Sequence, residues 1–436
     1  MAYMAYMKER FPVRGSPRRP TRAPRSLWRL TPLLLLLLCS VLPACSLDGG
    51  SGGDSKTLAI VTMFPTTGPD AAVGLALQQA VTLAVKPNGS LTNGYKVIAQ
   101  NIDEASPLRE GSLATALSNP RLVGVIGPYS SETAVALLPE IAAAGVATIS
   151  PTATLTGLTQ SAAADAEGVP FGKLHPQGKP LSFFRLAPTD DALGKAAADE
   201  AVAATSAKGL AAQSVFLVDD ATPSGKAAAS AFVKELKAKG GTVAGQQSLT
   251  TGVNDNAQLV VNAIVGANPD LVFYAGGLAA GAELRNTLSI GGAPGVPILA
   301  AGPVADNPGF SAAVGQPILA ANTTGLLPAS DLTKLDSAKS FLSAWQEAYG
   351  AKVAPPQSAL AYDAAMAEIA AIKAVIASGK PVTRSAIATA LAATKFDGAT
   401  GSIAFDEHGD STAAPAFSVY SCDAKGAWSY QTTLHG

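Results

Sequence analysis

The stretch VIGPYSSETA, residues 125–134, ends an apolar run at Gly127-Pro128 and continues as Tyr129, two adjacent serines and an alanine-rich segment. A hydroxyl pair at such a turn has two chemistries open to it. It can cap the free N–H groups of the following helix, or it can join those groups in donating to an anion. Ser131, at or near the N-cap, is placed to donate to a carboxylate. Catalysis has less support. Gly49, Ser51 and Gly53 have the spacing of a hydrolase nucleophile elbow, but no strand precedes them and no helix follows. Around Gly225-Lys226, Asp220 stands where a phosphate-binding loop needs its first glycine. His175, His408 and His435 are too scattered to suggest a metal site. The residue types point to binding, with no enzyme activity, no cofactor and no metal.

The elements that position this turn alternate along the chain. TLAIVTM (57–63), YKVIAQN (95–101), LVGVIG (122–127) and VATIS (146–150) are short Val- and Ile-rich runs separated by alanine-rich helical stretches. Strands alternating with helices imply a parallel sheet covered on both faces. A second series begins at FFRLAP (183–188) and continues through SVFLVDD (214–220), TVAGQQSL (242–249), DLVFYAGG (270–277) and VPILAAG (296–302). The expected fold is therefore α/β, with two doubly wound Rossmann-like lobes. Ligands of such sheets sit at the carboxyl ends of the strands, where the serine pair lies. Asp219 and Asp220 end a strand that faces the same region. Residues 156–180, rich in glycine and proline, read as a surface insertion. Helical patterns follow at 334–349 and 357–378, the second carrying Leu360, Met366, Ile369, Ile372, Val375 and Ile376 as a buried stripe, and short strands come after Gly401.

The N-terminus is a separate matter. Eight basic residues between Lys8 and Arg29 precede the apolar run Leu33 to Leu38, and the sequence then reaches LPAC at residues 42–45. That is the order of a bacterial export signal, and the run is too short to span a bilayer comfortably. Without residues 1–44 the chain keeps 23 basic and 31 acidic residues, a net charge of −8 that argues against nucleic-acid binding. Cys39 leaves with the signal and Cys422 has no partner, which excludes a disulfide scaffold.

LPAC resembles the lipobox of bacterial lipoproteins, with Leu42 and Ala44 at the matching positions. The resemblance implies that Cys45 is the lipid-modified residue of a protein anchored outside the cytoplasmic membrane, with residues 1–44 as signal peptide and 45–56 as a flexible tether. From residue 57 to about 430 the chain resembles the type I periplasmic binding proteins, in particular the branched-chain amino-acid receptors of ABC importers. The likeness rests on MFPTTGPDAAVG (63–74), VIGPYSSETA, GVATISPTAT (145–154), FFRLAPTDDALG (183–194), VFLVDDATPSGK (215–226), ANPDLVFYAGG (267–277) and GSIAFDEHGD (401–410).

The resemblance implies two lobes joined by three crossovers near Ala187, Pro328 and His408, with lobe 1 as 57–187 plus 329–408 and lobe 2 as 188–328 plus 409–436. It implies an interlobe cleft in which Ser131, Ala153 and Thr154 hold the carboxylate of an amino acid or similar small molecule, with Ser130 of the serine pair as a further candidate donor, and a monomer that works with ABC permease subunits. Where the family often has aromatic residues, this chain has Val73 and Ser224. Tyr129 and Tyr274 are candidates to replace them, and Asp306 is the expected partner of a ligand ammonium group. The altered cleft leaves a second function open, that of an envelope lipoprotein that senses a ligand or regulates a partner without transport.

Overall fold

The computed structural model describes residues 56–206, 214–252, 255–350 and 353–436. Cys45 and the whole export signal lie outside the described residues. The first sheet is entirely parallel and contains β1 (Thr57–Phe64), β2 (Lys96–Asp103), β3 (Leu122–Ile126), β4 (Ala147–Ser150) and β5 (Phe183–Arg185), in the order β2-β1-β3-β4-β5. The second sheet begins with β6 (Ser214–Asp219), β7 (Thr242–Ser248), β8 (Leu271–Ala275), β9 (Ile298–Ala301) and β10 (Thr323–Leu327). A small hairpin of β11 (Lys395–Gly398) and β12 (Gly401–Ala404) precedes β13 (Ala416–Cys422) and β14 (Trp428–His435), which complete the second sheet in the order β14-β13-β10-β9-β8-β6-β7.

The crossovers are helical. On the first sheet they are α1 (Ala71–Val85), α2 (Arg109–Ser118), α3 (Ser131–Ala143) and the short α4 (Ser161–Ala164) and α5 (Phe171–Leu174). On the second they are α6 (Asp190–Ser206), α7 (Pro223–Ala238), α8 (Ala257–Ala267), α9 (Leu278–Ile290) and α10 (Phe310–Val314). Then α11 (Lys339–Tyr349), α12 (Pro356–Ala377) and α13 (Arg384–Ala392) return to the first sheet's core. The chain thus passes between the sheets three times: between β5 and α6, after β10, and between β12 and β13.

Successive side chains of a strand point to opposite faces, so a strand covered on both sides feeds two cores. In β1, Ile60 and Phe64 join one core while Val61 and Met63 join the other. In β8, Val272 and Tyr274 face one side, and Leu271 and Phe273 the other. These strands read as unbroken apolar runs for that reason.

Two expectations are corrected and one strand is added. FFRLAP does not open the second series: Phe183 pairs with Thr148, and β5 is the edge of the first sheet, with Phe183 and Phe184 buried on opposite faces. Residues 156–180, expected as a surface insertion, pack into the fold, with Leu158, Ala164, Val169 and Leu174 buried in the same core as Val125 and Leu137. Strand β10, which joins the parallel part of the second sheet to the antiparallel β13, was not anticipated.

Candidate ligand-binding cleft

The parallel strands of both sheets end at one cavity of about 150 Å³. It is lined by the loops after β3 and β4 of the first sheet, by those after β6, β8 and β9 of the second, and by the first residues of α3, α6 and α7. Close approach fixes the first of these loops. Gly127 has a φ of 124°, and a Cβ there would stand 2.5 Å from the Met63 carbonyl oxygen, so only glycine fits.

The serine pair divides its work. Ser130 is the N-cap of α3, its Oγ accepting from the Thr133 N–H at 3.2 Å. The same Oγ donates to Glu104 Oε1 at 2.6 Å, and the Glu104 carboxylate also accepts the N–H groups of Tyr129 at 2.5 Å and Ser130 at 2.9 Å. An internal carboxylate therefore takes the two backbone N–H groups that lead into α3. Burial raises the Glu104 pKa against the pull of these hydrogen bonds. Ser131 is the first helical residue, and its Oγ accepts the N–H groups of Thr154 and Leu155, both at 3.1 Å. Ser150 Oγ accepts the Ala153 N–H at 2.9 Å and donates to the Pro128 carbonyl. Thr152 Oγ1 donates to the Tyr129 carbonyl at 2.7 Å. The two turns are stapled together by the hydroxyls and amides that were expected to meet a ligand.

The facing wall starts from β6. Thr222 caps α7 through its Oγ1, which accepts from Gly225 N–H and donates to Asp220 Oδ1 at 2.5 Å, while Asp220 Oδ2 accepts the Gly277 N–H at 2.8 Å. Ser224 is where the walls meet. Its Oγ donates to Asp190 Oδ2 at 2.8 Å and lies 3.4 Å from Thr154 Oγ1, and its N–H points to Glu132 Oε1 at 3.4 Å.

Four carboxylates line the cavity, those of Asp70, Glu132, Asp190 and Asp220, and its lining among the described residues includes no lysine, arginine or histidine. Burial pushes Asp190 up to about 7, opposed by hydrogen bonds from Thr154 and Ser224 and by the charge of Arg185. It pushes Asp70 up to about 6, opposed by Asn307, and Asp70 Oδ1 makes no hydrogen bond. Burial, reinforced by the neighbouring Asp220, also raises Glu132. Arg185 is fully buried but spends its guanidinium on Asp410 Oδ1 at 2.6 Å and the Leu155 carbonyl at 2.7 Å.

Of the residues singled out from the sequence, Tyr129, Ser130, Ser131, Thr154 and Ser224 line the cavity. Ala153 does not: it is fully buried and its N–H is taken by Ser150. Val73 is in the core beneath α1. Tyr274 is fully buried, its ring in the second sheet's core and its hydroxyl donating to the Gly277 carbonyl at 2.8 Å. Asp306 also lies off the cavity lining. The cavity takes Gly302 and Pro303 after β9, and the chain then turns Asp306 away, with a φ of 52°, to a site near Asp331 and Tyr420 where burial pushes its pKa to about 7. The sequence reading passed over Asp70, Glu132 and Asp190. Each sits at or just inside the start of a helix that follows a first-sheet strand, and that position was the available signal.

A family model described as periplasmic binding protein matches residues 57–427. The Leu/Ile/Val-binding protein BraC3 of Rhizobium johnstonii is 29% identical over 374 residues, covering 84% of this chain and 92% of its own. Among solved structures, the branched-chain amino acid transporter substrate binding protein LivJ of Streptococcus pneumoniae, in complex with isoleucine, superposes with a TM-score of 0.67 at 22% identity, over 87% of this chain and 99% of that one. The leucine binding protein LivK of Thermotoga maritima gives 0.69 at 21% identity, over 86% and 98%. A solute binding protein of R. palustris in complex with benzoate gives 0.66 at 21% identity, over 86% and 96%. This chain belongs to the periplasmic binding protein family, as a type I member related to the branched-chain amino-acid receptors.

Proposed function

We propose that this protein is the extracytoplasmic, lipid-anchored solute receptor of an ABC importer, which captures a small amino-acid-like solute between its lobes and presents the closed form to permease subunits. The observation that carries this reading is the cavity at the converging carboxyl ends of both sheets, with Ser224 of α7 reaching Thr154 and Glu132 on the opposite wall. Closure on a solute excludes water and strengthens the polar contacts inside. The Leu/Ile/Val-binding relative and the structural neighbours with isoleucine and benzoate support a small organic solute.

A thermal-shift screen of amino acids, their amides, amines and simple carboxylates tests the reading. A ligand at 100 times its Kd should stabilise the protein by about 2.7 kcal/mol. Silence across the whole screen would count against a solute receptor and favour a partner-binding lipoprotein. The anchor is tested separately: Cys45→Ser should move the protein from the membrane to the soluble fraction, and retention of that variant on the membrane would refute lipidation at Cys45.

A further inference from the structure

We propose that the cleft selects its solute by a cationic nitrogen, and that its ligands are compact ammonium compounds for which a free carboxylate is dispensable. The inference rests on the solute-receptor reading and names the class of ligand that the same cavity takes.

Three observations carry it. First, most of the backbone donors around the turn into α3 are already engaged, which leaves the Ser131 hydroxyl, an acceptor from Thr154 and Leu155, as the nearest donor to the cavity. Glu104 takes the N–H groups of Tyr129 and Ser130 and the Ser130 hydroxyl, Ser150 takes the Ala153 N–H, and Ser131 takes the Thr154 N–H. A ligand anion arriving at the Tyr129 and Ser130 N–H groups would meet the protein's own carboxylate.

Second, the charge that faces the cavity is negative on both walls. Asp70 and Glu132 come from the first-sheet side, Asp190 from the start of α6 and Asp220 from the end of β6, with no basic side chain in the lining among the described residues. Asp190 and Asp220 are held by Ser224, Thr222 and Gly277, and they set the sign of the field. Asp70, whose buried Oδ1 has no partner, has an acceptor to spare. Glu132 is held by its own backbone N–H, by Thr222 and, at 3.4 Å, by the Ser224 N–H, and its carboxylate is the second acid an ammonium would meet in the lining. A buried acceptor without a donor is costly, and a ligand N–H would relieve that cost.

Third, the space is small. A cavity of about 150 Å³ is the size that admits benzene in an engineered protein core. It suits an amine of about six non-hydrogen atoms better than a long amino acid that keeps both charged ends.

The test uses the wild-type chain and four probes with one branched side chain: 3-methylbutylamine, leucinamide, leucine and 3-methylbutanoate, each titrated by calorimetry. The expected result is binding of 3-methylbutylamine and leucinamide, leucine binding no tighter than leucinamide, and no heat from 3-methylbutanoate. Asp70→Asn and Glu132→Gln should each weaken 3-methylbutylamine at least tenfold. Binding of leucine or 3-methylbutanoate with both carboxylate-free amines silent overturns the cation inference and leaves the receptor reading standing. Silence of all four probes overturns the cation inference for this side-chain size, and silence across the wider screen as well overturns the receptor reading. Because the discrimination is read on the wild-type protein, it does not depend on how well either variant folds.

Discussion

Ser224 and Thr154 approach each other across the cleft with their hydroxyl oxygens 3.4 Å apart, and Ser224 also donates to the buried carboxylate of Asp190 at 2.8 Å. The pair is a small polar bridge between the walls of the cleft. Removing one partner of a hydrogen bond to a charged group typically costs about 1.5–3 kcal/mol. Ser224→Ala should therefore lower stability by about that amount and push the Asp190 pKa still higher. Urea unfolding at pH 8, where Asp190 is mainly ionised, reads the loss. A variant as stable as the parent at that pH would show that the bridge contributes nothing to the closed arrangement.

The second relationship lies where the chain passes between lobes. Arg185 is fully buried and its Nε donates to Asp410 Oδ1 at 2.6 Å, while Thr159 and Gln160 also reach that carboxylate. Taking away the acid strands a buried guanidinium, which in other proteins costs about 3–5 kcal/mol, whereas replacing both charges with apolar groups is often close to neutral. Asp410→Ala should thus destabilise far more than the double change Arg185→Met with Asp410→Leu. Arg185 and the hydrogen bonds hold the Asp410 carboxyl below its usual range, so this stabilisation is present above the unfolded pKa and is lost as acid protonates the folded carboxylate. Equal losses in the single and double variants would mean that packing, rather than charge, holds this joint.

Glu368 of α12 has the opposite sign. It is fully buried, neither carboxyl oxygen has a hydrogen-bond partner, and burial pushes its pKa to about 8. Gly124 of β3 makes the room, since a Cβ there would overlap the carboxyl group. The folded state keeps a proton that the unfolded chain releases near pH 4.5, so folding loses about 1.4 kcal/mol per pH unit between there and pH 8. Glu368→Leu should be more stable than the parent at pH 7.5, with the gain shrinking as pH falls toward 4.5 to the part that comes from removing an unpaired buried carboxyl. Thermal melts at the two pH values measure it, and a gain that does not change with pH would place the effect in packing instead.

Strands such as β1 and β8 were legible in the sequence because both faces are buried, and continuous Val, Ile and Leu runs have few other uses. Strand β10, Thr-Thr-Gly-Leu-Leu, was not: two threonines and a glycine hide it, and only its place between β9 and β13 makes it a central strand. At the cleft, the hydroxyl-rich turns after β3 and β4 were visible as strand-to-helix punctuation. What their atoms bond to was not, because Glu104 reaches Tyr129 from 25 residues away and spacing carries no distances. The same gap explains Asp306. Counting residues after β9 finds an acid, but the turn at Gly302 to Asn307 decides which way it points. Asp70 and Asp190 look in sequence like ordinary helix-start acids, and only the meeting of two sheets puts both on the lining of one cavity.

The final prediction joins the acid cleft to pH. With no ligand, burial keeps Asp70 near 6 and Asp190 near 7. Around Asp190 stand Arg185, which favours its charge, and Glu167, which opposes it; around Asp70 stand Asn307 and the buried Tyr129. An ammonium group held beside Asp70, in the field of Asp190, favours the charged forms of both acids and of neighbouring Glu132, which burial also raises, so protons leave the site on binding. Affinity for 3-methylbutylamine should therefore rise from pH 5 to pH 8, by up to tenfold per pH unit for each proton released, and level off once these acids are ionised without the ligand. Calorimetry in buffers of different ionisation enthalpy should show the proton release directly near pH 6. The amine itself stays protonated throughout, so the slope reports the protein. A carboxylate ligand would require the reverse slope, because protonating Asp70 and Asp190 removes the negative charge that repels it, and a binding constant that falls as pH rises would exclude the ammonium-selective cleft.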